Sequence, residues 1–145
     1  MANEGTITDE TLPGVSVVIP AYNYAKFLPF AVESARSQDY PNFEVIVIDD
    51  GSKDDTAEVM KQYDAPVRYV YQENAGLSAA RNSGIREAKH DFVVFLDADD
   101  EFMPGMLRKV MSKFATLEPD FGLVGCDCVF IDIDGKPMPI TKHHP

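Results

Sequence analysis

The run Val15–Pro20 (VSVVIP) is almost uninterrupted in apolar and β-branched residues. A strand with one wet face alternates apolar and polar side chains, so a continuous run reads as a strand covered on both faces. Comparable runs recur at Glu44–Ile48, Val67–Tyr71, Phe92–Leu96 and Phe121–Phe130. Between them the spacing turns helical. Phe27, Phe30, Ala31, Ser34 and Ala35 share one helix face, and Asp54 or Asp55 can cap a second helix running to about Tyr63. A third helix spans Leu77–Ala88, with Gly84 as its weak point, and a fourth spans 104–117, opened by Pro104. Strands buried on both faces and alternating with helices predict an α/β fold with a mostly parallel central sheet, right-handed crossovers and helices on both faces. A length of 145 residues suits one such domain with a sizeable core.

In parallel α/β sheets ligands bind beyond the carboxyl ends of the strands. Polar clusters stand at three of those ends: Tyr22-Asn23 after the first run, Asp49-Asp50 after the second and Asp97-Ala98-Asp99-Asp100 after the fourth. Three carboxylates within four positions repel one another and raise one another's pKa unless a positive charge lies between them. A divalent cation with oxygen ligands, itself holding a phosphate, is one resolution; a solvated strand end is the other. The formal net charge of -11, from 24 acidic against 13 basic residues, disfavours nucleic acid and anionic membrane as partners. It also repels a free nucleotide diphosphate, which makes a bridging cation more necessary. No stretch is long enough to cross a bilayer, and the start is not signal-like.

Four segments carry a resemblance: Val17–Asn23 (VVIPAYN), Val47–Ser52 (VIDDGS) with Asp54 and Thr56, Asn74–Gly84 (NAGLSAARNSG) and Leu96–Asp100 (LDADD). In this order and spacing they resemble family 2 inverting glycosyltransferases of the GT-A fold, over roughly residues 15–125. The resemblance implies a Rossmann-like GT-A sandwich whose N-terminal half binds a nucleotide-diphosphate sugar, most often a uridine one, with Mn2+ or Mg2+. It implies that Pro20, Ala21 and Tyr22 form the floor and side of a base pocket. The Asp50 carboxylate, with or without Asp49, would accept a hydrogen bond from a base N–H; Asp49 can instead serve as a turn former before Gly51. Asn74 would contact the sugar or shape its loop, and Gly76 would allow a tight turn or close ligand approach. Arg81 would hold a phosphate or the base edge bidentately, unless it is a surface arginine paired with Glu87 or another acid. Asp97 and Asp99, flanking Ala98, match the family's D-x-D. Asp97 would contact ribose or donor sugar, Asp99 the metal bridging the diphosphate, and Asp97 and Asp100 would share that metal. The cation acts as a Lewis acid toward the leaving diphosphate.

Residues 1–14 read as a loose tail, 15–130 as the nucleotide-sugar-binding domain, and 131–145 as a segment opening an acceptor-binding half that the chain, ending at Pro145, does not contain. That half would supply the Asp or Glu general base for an unknown acceptor hydroxyl, so no catalytic base is assigned. A free sheet edge left by truncation predicts a homodimer. Polysaccharide, glycolipid or glycan synthesis in the cytoplasm, at the inner face of the membrane in a longer enzyme, is the expected setting. Two other classes remain open: a non-catalytic nucleotide-sugar-binding or interaction module, and a sugar nucleotidyltransferase. The latter should carry a Gly-rich, basic phosphate loop where Pro20–Asn23 stands. Cys126 and Cys128, two apart on an expected strand, read as buried or half-buried free thiols of a cytoplasmic protein. Met103, Met106 and Met111 read as core, Asp132, Asp134 and Gly135 as a turn, and His143-His144 as part of a terminal tail.

Overall fold

The computed structural model describes residues 12–117, 120–132 and 134–138. Strands β1 (Val15–Ala21), β2 (Phe43–Asp50), β3 (Val67–Gln72) and β4 (Phe92–Phe95) alternate with helices α1 (Leu28–Arg36), α2 (Thr56–Met60), α3 (Leu77–Glu87) and α4 (Met106–Phe114). All strand pairs are parallel, in the order β3-β2-β1-β4. This is the α/β, Rossmann-like arrangement expected of the sequence.

Because side chains alternate along a strand, β1 and β2 each supply two cores. Val15, Val17, Ile19, Val45 and Val47 pack with Leu28 and Val32 of α1, Met60 of α2, and Leu107 and Met111 of α4. On the other face Val18, Ile46 and Ile48 pack with Ala80 of α3. Each fully buried Val, Leu or Ile contributes about 1.5–3 kcal/mol by removal from water. Gly84 explains its place in α3 here. A Cβ added to it would lie 2.2 Å from Val18 Cγ1, so the helix backbone rests directly on β1.

At the amino ends of the strands the buried Glu44 accepts hydrogen bonds from Ser16 Oγ (2.8 Å), Arg68 Nε (3.0 Å) and Lys89 N (2.8 Å). Burial pushes its carboxyl up, but these bonds and the Arg68 charge outweigh that and hold it below the usual range.

Several expectations need correction. Residues ahead of 15 pack on the domain: Leu12 is buried, and Tyr40 Oη donates to Pro13 O at 2.5 Å. No strand forms over the expected fifth run. In this part of the described chain the backbone pairs only around a bridge between Ile131 and Pro137, with Met138 N donating to Phe130 O. Strand propensity measures packing against neighbours, and Phe121, Leu123 and Phe130 are exposed without them. Cys126 and Cys128 are free as expected but exposed rather than buried. Met111 is core, whereas Met103 is exposed. Asp132 does form a turn, its Oδ1 accepting from Asp134 N and Lys136 N. His143 and His144 lie outside the described residues. Among the described residues no helix is long and apolar enough to cross a membrane.

Candidate functional site

Register sets the stagger of the strand ends. Val18 of β1 lies opposite Phe95, the last residue of β4, and Leu96 N still donates to Val18 O at 3.0 Å. Ala21 lies opposite Asp49 of β2. The chain leaving β4 therefore passes beside Pro20, and a cleft of about 560 Å³ opens beyond the carboxyl ends of β1, β2 and β4. Pro20, Ala21 and Tyr22 wall it from β1, Asp50 from β2, and Asp97, Ala98 and Asp99 from β4. Asn74 and Gly76 close it from the loop before α3.

Asp50 is 3% exposed. Its Oδ1 accepts from Gln72 Nε2 (2.6 Å) and Ala75 N (2.9 Å), and its Oδ2 from Gly76 N (2.8 Å). Burial pushes the carboxyl up, yet the three bonds hold it below the usual carboxylate range. A carboxylate oxygen accepts two bonds, so Oδ2 retains one lone pair for a ligand donor. Asn74 Nδ2 donates to Asp50 O at 2.9 Å, which stitches the loop to the strand end. Gly51 permits this approach, having φ of +79° and a would-be Cβ only 2.8 Å from Asn74 N. Gly76, at φ +90°, turns the chain into α3.

Asp49 points to the opposite face of β2. Its Oδ1 accepts from Ser52 N (2.8 Å) and its Oδ2 from Tyr69 Oη (2.6 Å), and it does not line the cleft. Of its two readings the structure favours the turn former. Burial first, then this hydrogen bond, pushes the Tyr69 phenol far above its usual range.

Arg81 also stands off the cleft. Its Nη2 lies 2.7 Å from Asp97 Oδ1 and its guanidinium 5.8 Å from the Phe95 ring centroid. It is paired with an acid, but with Asp97 rather than Glu87, which is bound by Arg68. Among the described residues Arg81 Nε is the one buried side-chain nitrogen or oxygen without a hydrogen-bond partner. Arg81 and Asp100 face a neighbouring groove on the other side of Asp97. Partial desolvation, then the charges of Asp99 and Asp97, push the Asp100 carboxyl up. Among the described residues no three His, Cys, Asp or Glu side chains converge as a ready metal cage. The sequence reading missed Tyr24, Leu77 and Ala80 as lining residues. Leu77 carried a usable signal, as an apolar residue opening a helix straight after a cleft-lining glycine.

The family model described as glycosyl transferase family 2 matches residues 16–144. The chain belongs to glycosyltransferase family 2. An uncharacterized glycosyltransferase of Rickettsia prowazekii is 36% identical over 120 residues, covering 83% of this chain and 38% of that protein. Among solved structures, residues 1–349 of TarS from S. aureus in complex with UDP-GlcNAc superpose with a TM-score of 0.62 at 31% identity, covering 70% of this chain and 30% of that one. A mannosyltransferase from Pyrobaculum calidifontis in complex with GDP-Man and Mn2+ gives a TM-score of 0.61 at 30% identity, over 67% and 30% of the two chains. This family 2 chain thus spans well under half the length of each of these three proteins.

Proposed function

We propose that this chain binds the donor of a glycosyltransferase: a nucleotide-diphosphate sugar, of the uridine type, together with Mn2+ or Mg2+. One observation carries the reading. Three strand ends of one parallel sheet converge on a single cleft that holds a buried, loop-clamped carboxylate on one side and the half-buried Asp97 with the exposed Asp99 on the other. The sugar-nucleotide complexes of TarS and of the mannosyltransferase support the same class of ligand.

Asp50 accepts the base N–H with the lone pair left on Oδ2. The Tyr22 ring, 43% exposed at the cleft, stacks near base or ribose. Asn74 shapes the loop that closes the base end, and Asp97 contacts ribose or sugar. Asp97 and Asp99, the two acidic side chains at this end of the cleft, fit a hard cation. Among the described residues Asp97 has Arg81 as a cationic partner and Asp99 has none, and Mg2+ or Mn2+ needs only one or two carboxylates when phosphate oxygens supply further ligands. Asp99, at the cleft, is the residue that would hold it, and when bound such an ion offsets charge growing on the leaving diphosphate. Arg81 enters through Asp97, not through the ligand.

For the whole protein we propose inverting transfer. The bond from the anomeric carbon to the diphosphate oxygen breaks, a bond to the acceptor hydroxyl oxygen forms, and the hydroxyl proton passes to a base. The free thiols of Cys126 and Cys128 fit a reducing, cytoplasmic setting. Calorimetric titration of UDP and of GDP, with Mn2+ and with EDTA, tests the proposal on the wild-type chain and on Asp99→Ala. Binding of UDP that is lost on chelation and in Asp99→Ala is the expected result. Metal-independent binding would overturn the role of Asp99, and no binding of either nucleotide would overturn the donor site.

A further inference from the structure

Asn23, Ser52, Asp54 and Thr56 stand in the segments that carry the family resemblance, yet none of them lines the cleft. They tie two loops together. Ser52 Oγ accepts from Asn23 N at 2.9 Å, and Asn23 Oδ1 accepts from Lys53 N at 2.8 Å, a reciprocal pair of bonds. Two residues further along each loop, Asp54 Oδ2 accepts from Ala25 N at 2.9 Å. The other oxygen of Asp54 accepts from Thr56 N (3.1 Å) and Thr56 Oγ1 (2.5 Å), which fastens it to the first turn of α2. Thr56 is fully buried. Asn23 has φ of +58°, a left-handed conformation that asparagine tolerates better than almost any other residue with a side chain.

What this clasp holds is the aromatic wall of the cleft. Tyr22 and Tyr24 flank Asn23, both line the cleft, and they are 43% and 37% exposed. Tyr24 leans on the Phe27 ring, with centroids 6.1 Å apart, but both rings keep a large open face, and a wall that must be ordered by its ligand loses affinity to that ordering. We infer that Asn23, Ser52 and Asp54 are positioning residues that hold Tyr22 and Tyr24 in the nucleoside-receiving conformation before the ligand arrives. The inference rests on the donor-site reading above and adds to it the device that preorganises its base end.

The test uses Asn23→Gly, which keeps the left-handed backbone but removes the Oδ1 bond, and Ser52→Ala, with Ser52→Thr as the conservative control. Affinity is measured for UMP and for UDP with Mn2+, alongside thermal unfolding and amide hydrogen exchange at Asn23, Ala25 and Lys53. Losing one such bond weakens UMP and UDP by the same factor, on the order of five- to tenfold, because the base end is disturbed and the metal end is not. Ser52→Thr binds as wild type, and both disruptive variants stay folded at the titration temperature. The three amides are protected in wild type; that of Lys53 exchanges freely in Asn23→Gly, and that of Asn23 in Ser52→Ala.

Wild-type affinity in both Asn23→Gly and Ser52→Ala would overturn the inference while leaving the donor site standing. So would a loss confined to UDP with metal, or unprotected amides in wild type. Protected amides in a wild-type chain that binds neither nucleotide would overturn the donor-site reading and reduce the clasp to a structural tie.

Discussion

Gly84→Ala sets two rules against each other. Ala is the better helix former by about 1 kcal/mol in a helix interior, so propensity alone expects a more stable protein. Packing expects the reverse. The new Cβ would lie 2.2 Å from Cγ1 and 2.9 Å from Cγ2 of Val18. Carbon atoms rest at about 3.5–4.0 Å, so more than an ångström must be found. Val18 cannot supply it. The residue is fully buried on a strand paired on both sides, opposite Ile46 and Phe95, and its β-branched side chain is stiff at χ1. The helix must lift instead, opening the small core where Ala80 meets Val18, Ile46 and Ile48. Overpacking of this kind costs about 1–3 kcal/mol, and a contact this short belongs near the upper end. After the propensity gain, the net loss is about 1–2 kcal/mol, or roughly 3–8 °C in Tm for a chain of this size. Thermal and urea unfolding followed by circular dichroism measure it. Val18→Ala in the same chain removes both clashing methyls, so the double variant should lose less than the two single losses added together. A higher Tm for Gly84→Ala, or strict additivity with Val18→Ala, would refute the close-packing argument.

Asp50→Asn replaces one acceptor oxygen with a donor among Gln72 Nε2, Ala75 N and Gly76 N, so it should cost about 1–3 kcal/mol in urea unfolding. A loss within error of zero would show that the loop does not depend on this carboxylate. Glu44 and Asp50 both titrate below their unfolded range, so each stabilises the fold fully above that range and loses its contribution as pH falls through the depressed value. Stability should therefore fall steeply only below about pH 4, and Glu44→Gln should flatten that fall; an acid limb unchanged by the substitution would count against it. The Arg81–Asp97 pair is 36% and 46% exposed, so a thermal double-mutant cycle with Arg81→Gln and Asp97→Asn should give a coupling of at most about 1 kcal/mol. No coupling at all would mean the pair is not held in solution.

The sequence showed which strand ends carry chemistry but not which way each side chain turns, and β2 shows why. Val45, Ile46, Val47 and Ile48 are all apolar because both faces of the sheet are covered, one by α1, α2 and α4 and the other by α3. Alternation, the usual sign of which face is which, is therefore silent, and Asp49 and Asp50 look equivalent in the sequence. In the fold they are opposites. Asp49 follows Val45 and Val47 to one face and ties Ser52 to Tyr69, while Asp50 follows Ile46 and Ile48 to the face where α3 begins and reaches the cleft. The partner of Arg81 is hidden in the sequence for a related reason. Its distance from Gly76 placed it near the strand ends, but its partner depends on the stagger that sets Phe95 opposite Val18 and brings Asp97 within reach. Phe121–Phe130 is the converse case, where composition promised a strand but no ladder partner lies alongside among the described residues. Asn23 and Ser52 completed motifs whose chemistry seemed to reside in their neighbours. Only the crossing of two loops far apart in sequence gives them work, and hydrophobic period carries no trace of a contact between two polar turns. Residues of this kind are best sought as motif members that line nothing, because a side chain absent from the cleft wall is free to hold that wall in place.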